Sequence, residues 1–209
     1  MDIDDLRIND YIRDIEHPIS LLLEKDARVL SLGGDHSITY PILKSYVKKY
    51  KHLNILQLDA HPDLYNEYEG NPFSHACPFA RIMEEKLAER LVQVGIRTMN
   101  PHLQEQTERF KVETIDMKTW NSSAKLAFNG PVYISLDMDV LDPAFAPGIS
   151  HPEAGGLSTR EVLGIIQDLE APVVGADIVE LNPLRDINGI TAMAAAKFLK
   201  EIVEKMVIS

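Results

Sequence analysis

The sequence predicts an α/β fold, a three-layer αβα arrangement in which a mostly parallel sheet lies between two layers of helices. Short runs rich in Val, Ile and Leu alternate along the chain with segments whose apolar residues have helical spacing. Apolar strands separated by helices are typical of a parallel sheet covered on both faces. No linker, repeat or low-complexity stretch divides the 209 residues, so we expect a single domain over residues 1–209.

The predicted elements succeed one another in order along the chain. Apolar runs predict strands at Ala27–Leu32, Leu53–Leu58, Leu91–Val94, Val132–Leu136 and Val173–Ala176. Helical spacing predicts helices at Leu6–Leu23, Ile38–Lys49, Ala80–Arg90, Thr159–Leu169 and Ile190–Met206. Ligands of parallel sheets bind beyond the carboxyl ends of the strands. The residues directly after each apolar run are therefore candidates for a site.

Composition and charge exclude several classes of partner. A formal net charge of −11 and a pI of 5.0 argue against nucleic acid or an anionic membrane, which both need a basic surface. The single cysteine, Cys77, allows no intrachain disulfide. The acidic N-terminus is unlike a signal peptide, and no apolar run approaches the roughly 20 residues that cross a bilayer. We expect a cytoplasmic protein. The acidic surface favours small, cationic substrates only weakly, because bulk charge says little about a single pocket.

Acidic and imidazole side chains come directly after the apolar runs. The first run is followed by Gly33–Ser37 (GGDHS) and the second by Asp59–Asp63 (DAHPD). The later runs are followed by Asp137–Asp139 (DMD) and Asp177–Glu180 (DIVE). Parallel strands end at one edge of their sheet, so these side chains should meet there.

The spacing of these side chains predicts a metal site. In extended backbone, side chains at i, i+2 and i+4 share a face. The predicted metal ligands are His36, Asp59, His61, Asp63, Asp137 and Asp139. Four unpaired carboxylates would repel one another, whereas two divalent cations would neutralise them. Carboxylates with some imidazole and no thiolate suit Mn²⁺, with Fe, Co or Zn as alternatives. The competing interpretation is that the acids are turn residues and helix caps.

Four motifs resemble the signatures of the ureohydrolase family, which includes the arginases and agmatinases. These motifs are GGDHS at Gly33–Ser37, DAHPD at Asp59–Asp63, SLDMDVLDPAFAPG at Ser135–Gly148 and DIVELNP at Asp177–Pro183. The segments Glu69–Glu84 and Ile149–Gly156 are most similar to the plant-type arginase and agmatinase branch. The resemblance implies an arginase-like fold and cleavage of a guanidino compound to urea and an amine.

The resemblance also implies a role for each site residue. Two manganese ions per chain are expected. His36, Asp59, Asp63 and Asp137 bind one of them, either exclusively or by bridging to the other ion. His61 and Asp139 complete the ligands of the pair. His75 matches the family's loop histidine, and an imidazole there could protonate the leaving amine. Glu180 matches the glutamate that holds the substrate guanidinium, which a carboxylate can bind through two parallel hydrogen bonds. Without the motifs, His75 would be interpreted as an ordinary surface or structural histidine, and Glu180 as a surface charge after a buried strand. A homo-oligomer, trimer or hexamer, is also implied.

Several alternatives stay open at this point. The family usually has a longer segment before GGDHS, with a first strand, so the sheet is expected to lack an N-terminal strand. The chain could then be a shortened, inactive metal-binding relative; an acetylpolyamine-type deacetylase is a further alternative. Tyr65 stands where animal arginases have Asn, which leaves agmatine, arginine and shorter guanidino acids as substrates. His151 could line the pocket mouth, and Asp177 could orient a metal ligand.

Overall fold

The computed structural model describes residues 3–121 and 125–208, and its centre is one parallel sheet. The six strands are β1 (Val29–Leu32), β2 (Asn54–Leu58), β3 (Arg90–Ile96), β4 (Glu113–Asp116), β5 (Val132–Asp137) and β6 (Val173–Val179). Their order across the sheet is β1-β6-β5-β2-β3-β4, and every neighbouring pair is parallel. The carboxyl ends of β1, β6, β5 and β2 therefore lie side by side at one edge.

Helices cover both faces of the sheet. They are α1 (Ile3–Glu24), α2 (Thr39–Lys49), α3 (Pro78–Glu84), α4 (Pro101–Phe110), α5 (Thr159–Asp168) and α6 (Ile190–Ile208). One apolar core joins the sheet to α1–α4, and a second joins it to α5 and α6. The predicted three-layer α/β fold is confirmed, and the sheet is wholly rather than mostly parallel.

The central strands are buried because their side chains are mostly apolar on both faces. Every residue of β2 and of β5 is buried. Apolar runs of this kind contain few charges because each face of a central strand meets a helix rather than water. These two strands are accordingly the easiest to predict from the sequence.

The structure corrects the prediction in three places. The helix predicted at Ala80–Arg90 ends at Glu84, because the chain turns through Lys86 in a left-handed conformation (φ 56°) and Arg90 begins β3. The sequence prediction also missed β4 and α4. Both are polar: β4 is a partly exposed edge strand, and α4 buries only Leu103 and Gln106.

The N-terminal part of the described chain is helical, as predicted for Leu6–Leu23. Within residues 3–28 there is helix α1 and no strand, so β1 forms one edge of the sheet. Among the residues that the structure describes, no helix combines the length and apolar character that spanning a membrane requires. The outermost residues of the predicted domain, 1–2 and 209, lie outside the described residues.

Candidate metal centre

The side chains predicted as metal ligands converge beyond the carboxyl ends of β1, β2 and β5. His36 begins a short 3₁₀ turn after β1, and its Nδ1 lies 3.2 Å from Asp59 Oδ2 and 3.0 Å from Asp63 Oδ2. The same Nδ1 lies 3.3 Å from Asp137 Oδ2. One imidazole nitrogen therefore faces three carboxylates that come from two neighbouring strands.

A second group lies beside the first and shares Asp59 with it. His61 Nδ1 is 3.0 Å from Asp139 Oδ2 and 3.6 Å from Asp59 Oδ1. Potential ligand atoms of His36, Asp59 and Asp137 lie within 4.8 Å of one another, and so do those of Asp59, His61 and Asp139. The arrangement thus has two adjoining pockets for cations, with Asp59 between them.

Hydrogen bonds from backbone N–H groups orient the carboxylates of Asp137 and Asp139 toward the centre. Asp137 Oδ1 accepts a hydrogen bond from Asp139 N at 2.8 Å, while its Oδ2 faces His36. Asp139 Oδ1 accepts from Ala60 N at 3.1 Å, while its Oδ2 faces His61. The two interpretations of these acids are therefore compatible, because one oxygen fixes the backbone and the other faces the centre.

The donor atoms fit divalent cations better than they fit one another. His36 and all four carboxylates are buried, and His36 Nδ1 has no hydrogen-bond partner despite its three carboxylate neighbours. A buried polar atom without a partner is costly in the absence of a ligand. Hard carboxylate oxygens with imidazole nitrogen are the donor set expected for Mn²⁺ or a similar cation.

The pKa values of the cluster show how strongly it requires positive charge. Burial and the neighbouring Asp59 raise the pKa of Asp63 to about 7. Burial and the adjacent carboxylates also raise the pKa of Asp137 well above its ordinary value. Burial lowers the pKa of His61, but hydrogen bonds to Asp139 and Asp59 outweigh that effect and raise it to about 12. Without a cation the cluster retains protons; a cation would replace them and free the imidazole lone pairs.

The orientation of His36 is set from its other nitrogen. His36 Nε2 lies 2.8 Å from Ser135 Oγ, and Ser135 Oγ donates to Asp177 Oδ1 at 2.7 Å. Because that hydroxyl gives its proton to a carboxylate, it accepts the N–H of His36 Nε2. With a cation bound, the lone pair of His36 would therefore be on Nδ1, the nitrogen that faces the carboxylates. Phe79 packs edge-on against the ring at 5.2 Å.

Asp177 anchors this chain of hydrogen bonds. Its Oδ2 accepts hydrogen bonds from Thr39 Oγ1 at 2.9 Å and from Tyr133 OH at 2.8 Å. Burial raises the pKa of Asp177, and the hydrogen bonds to its hydroxyl neighbours oppose that rise. The carboxylate can therefore be held in the core, as its predicted role in orienting a ligand requires.

We expect Asp177→Asn to weaken Mn²⁺ binding about 10–100-fold, the range typical of partners that orient metal ligands. The amide of the new asparagine can donate to Ser135 Oγ. The Ser135 hydroxyl would then donate to His36 Nε2 instead of accepting from it, which would change which nitrogen of His36 carries the proton. Isothermal titration calorimetry would measure the dissociation constant. Thr39→Val is the matched control, since it removes one donor to Asp177 without touching Ser135. Equal affinities in the two variants would contradict this relay.

A polar row crosses the sheet at the level of Asp177. It consists of one residue from each strand, aligned with its neighbours: Ser31, Asp177, Ser135, Gln57, Gln93 and Thr114. Gln93 Nε2 donates to Gln57 Oε1 at 2.7 Å, and Gln57 Nε2 donates to Asp59 Oδ2 at 2.7 Å. The sequence prediction named Asp177 but overlooked the other five residues of the row, although a polar residue inside an apolar strand was a visible signal.

The predicted catalytic residues share a cavity with the metal centre. A cavity of about 390 Å³ is lined by Asp137, Asp139, His75 and Glu180, among others. Glu180 is partly exposed, and its Oε1 accepts a hydrogen bond from His36 N at 2.8 Å. Glu180 and Asp63 both adopt left-handed backbone, with φ of 65° and 51°. Such conformations are unfavourable for residues other than glycine and occur frequently at functional sites.

Aromatic and imidazole rings surround the cavity mouth. His75 stacks on His151 with a centroid distance of 5.1 Å and an angle of 11°, and His151 meets His61 edge-on at 6.3 Å. Tyr65 accepts a hydrogen bond from Asn100 Nδ2 at 2.6 Å. The structure thus brings every predicted site residue either to the cavity wall or into contact with a residue of that wall.

Comparison with known proteins agrees with this geometry. The model of the arginase family matches residues 1–204. Arginase 1, mitochondrial, of Arabidopsis thaliana is 49% identical over 98% of this chain and 62% of its own length, and an agmatinase of Bacillus cereus is 38% identical over 90% and 67%. An arginase structure from Medicago truncatula has a TM-score of 0.89 at 44% identity, covering 99% of this chain and 66% of its own.

These matches differ in how much of each protein they cover. The chain spans less than two thirds of the length of the Arabidopsis relative, so activity and substrate are not carried over with the fold. The family match covers nearly the whole chain, and it confirms the resemblance stated from the motifs. This chain belongs to the arginase family.

Proposed function

We propose that the protein is a binuclear manganese hydrolase that cleaves a guanidino compound to urea and an amine. The observation that carries the proposal is the convergence of two acid–imidazole groups, joined by Asp59, with Glu180 and His75 in one cavity. The proposed metal ligands are those predicted from the sequence: His36, Asp59, His61, Asp63, Asp137 and Asp139. When bound, such a pair of ions supplies a hydroxide nucleophile near neutral pH.

The residues of this chain supply orientation and proton transfer. Glu180 is held by His36 N, and its carboxylate belongs to the same cavity wall as Asp137 and Asp139. A planar guanidinium can donate two parallel hydrogen bonds to a carboxylate, which fixes its plane relative to the metal ligands. His75 is half-buried in the same wall and can give a proton to the departing amine.

Arginine is the first substrate to test, because the similarity to the Arabidopsis arginase is greater than to the bacterial agmatinase. Agmatine is the second, and the cavity itself favours it. Among the described residues that line this cavity there is no Lys or Arg to pair with a substrate carboxylate, whereas Glu153 lies at the mouth. A carboxylate there favours a substrate with an ammonium tail over one that also carries a carboxylate.

The decisive experiment is urea release from arginine and from agmatine, measured separately with Mn²⁺ and after chelation. Manganese-dependent urea from one substrate would support the proposal and identify that substrate. Two bound metals per chain without urea would favour the inactive metal-binding relative instead. Release of acetate from an acetylated polyamine would favour the deacetylase. Absence of bound metal would overturn the proposal.

We also propose that the protein forms a homo-oligomer, trimer or hexamer. Large apolar side chains are exposed between β6 and the first turn of α6: Leu184 is 95% exposed and Met193 is 72% exposed, with Ile187 and Ile190 between them. Exposed apolar side chains that form one surface patch commonly mark a protein interface. Light scattering after gel filtration would measure the mass, and a monomer would contradict the proposal. The cytoplasmic location likewise stays a prediction, which imaging of the tagged protein would test.

A further inference from the structure

Arg97, which comes directly after β3, has a role that the motifs do not indicate. Its three guanidinium nitrogens donate to backbone carbonyl oxygens on three separate segments. Nη2 donates to Asp139 O at 2.7 Å and to Glu153 O at 2.7 Å, and Nε donates to Glu153 O at 3.1 Å. Nη1 donates to Gly95 O at 3.0 Å. Asp139 is a proposed metal ligand, and Glu153 lies on residues 149–156, which we call the mouth loop.

We infer that Arg97 is a positioning residue that fixes the metal-ligand turn at Asp139 and the mouth loop in one relative geometry. The inference rests on the proposed function insofar as it concerns substrate binding. The mouth loop carries His151 and Glu153, which both line the cavity. Displacement of this loop should therefore weaken substrate binding, and displacement of the turn should weaken metal binding.

The acceptor atoms that Arg97 uses distinguish this positioning role from an ordinary ion pair. Arg97 lies beside Asp139, yet it binds the carbonyl oxygen of that residue and leaves the carboxylate to Ala60 N and His61. A guanidinium paired with the carboxylate would compete with a cation for its oxygens. The planar fork reaches several carbonyl groups at once, which a single ammonium group cannot do.

Close packing around the guanidinium supports the same inference. A Cβ added at Gly156, on the mouth loop, would lie 2.7 Å from Arg97 Nη2 and 2.5 Å from Asp142 N. A side chain at Gly156 therefore has no room between the guanidinium and the backbone of Leu141 and Asp142. Leu157 N also donates to Val140 O at 3.0 Å, so the end of the loop is joined directly to the metal-ligand turn.

The test is the Mn²⁺ dissociation constant of Arg97→Lys, measured by calorimetry on the purified chain. Lys keeps the charge but loses the fork, so we expect binding to weaken about tenfold or more, with faster proteolysis within the mouth loop. Arg90→Lys is the matched control. Arg90 is at the opposite end of β3 and binds Glu113 and Ala127 O, far along the strand from the centre.

Each outcome decides the inference. If Arg97→Lys binds Mn²⁺ within twofold of Arg90→Lys, the inferred positioning role is wrong. A third variant, Arg97→Met, removes the charge as well as the fork. If only Arg97→Met weakens binding, the role is also wrong, since charge alone would then suffice. If Arg97→Lys does not fold, Gly156→Ala takes its place, with the same expected loss and the same result that would overturn it. An active variant should also show a raised KM. If the parent chain releases no urea, the proposed function is wrong. The Mn²⁺ dissociation constants and the proteolysis rates would still decide the role of Arg97.

Discussion

Replacing Asp59 by Asn is expected to abolish stable metal binding at both halves of the centre. Asp59 belongs to both groups of potential ligands, and its two oxygens face His36 and His61 respectively. We expect the affinity for Mn²⁺ to fall at least about 100-fold, more than changes beyond the ligands usually cause, and urea formation to fall with it. Metal content after dialysis, measured by plasma mass spectrometry, would test this.

Asp116→Asn is the matched control for this variant. Asp116 also lies at the carboxyl end of a strand in the same sheet, but its carboxylate accepts hydrogen bonds from Thr119 and belongs to neither group of ligands. Its metal content should equal that of the parent chain. Retention of two metals per chain by Asp59→Asn would show that the centre does not depend on a shared carboxylate.

The second large effect is expected for Glu180→Gln. The glutamine can still accept the hydrogen bond from His36 N, so the local backbone should be retained. It loses the charge that strengthens two hydrogen bonds to a guanidinium, which corresponds to a roughly 100-fold fall in kcat/KM. The Mn²⁺ dissociation constant should not change, and that pair of measurements separates substrate orientation from metal binding.

Glu153→Gln provides the comparison at the other end of the cavity. Glu153 lines the mouth, so this change should raise KM for agmatine more than for arginine. Equal kcat/KM values for Glu180→Gln and the parent chain would mean that the guanidinium is held elsewhere. Steady-state urea assays with both substrates are sufficient for these comparisons.

The alternation of apolar runs with segments of helical spacing predicted the fold, and the polar residues that follow the runs predicted where the centre lies. The sequence prediction assigned Asp59, His61 and Asp63 to one site on the expectation that alternate residues of extended chain share a face. The side chains do converge, but the backbone there is not extended, because β2 ends at Leu58, a bend follows and Asp63 is left-handed with φ of 51°. The helix predicted through Arg90 failed because its apolar spacing continues into β3 across a turn that has no glycine or proline. β4 was missed because an edge strand needs no continuous apolar run.

Other parts of the centre have no signature in the sequence. Arg97 acts through carbonyl oxygens, which every residue carries, so no spacing of side chains reveals its partners. The left-handed backbone at Glu180 is equally invisible, because glutamate is not a residue that predicts it. Only the neighbours brought together by the sheet identify these roles.

The polar row across the sheet has a consequence for folding. Side chains of a strand alternate between the two faces, so a slip of one residue would carry that strand's member of the row to the opposite face. There the misplaced amide or hydroxyl would meet an apolar core, at a cost of about 1–3 kcal/mol for each unsatisfied group. Asp177, which is a buried carboxylate on an interior strand, would be affected most, followed by Gln57 and Ser135. The row therefore favours the correct alignment of the strands over alignments shifted by one residue.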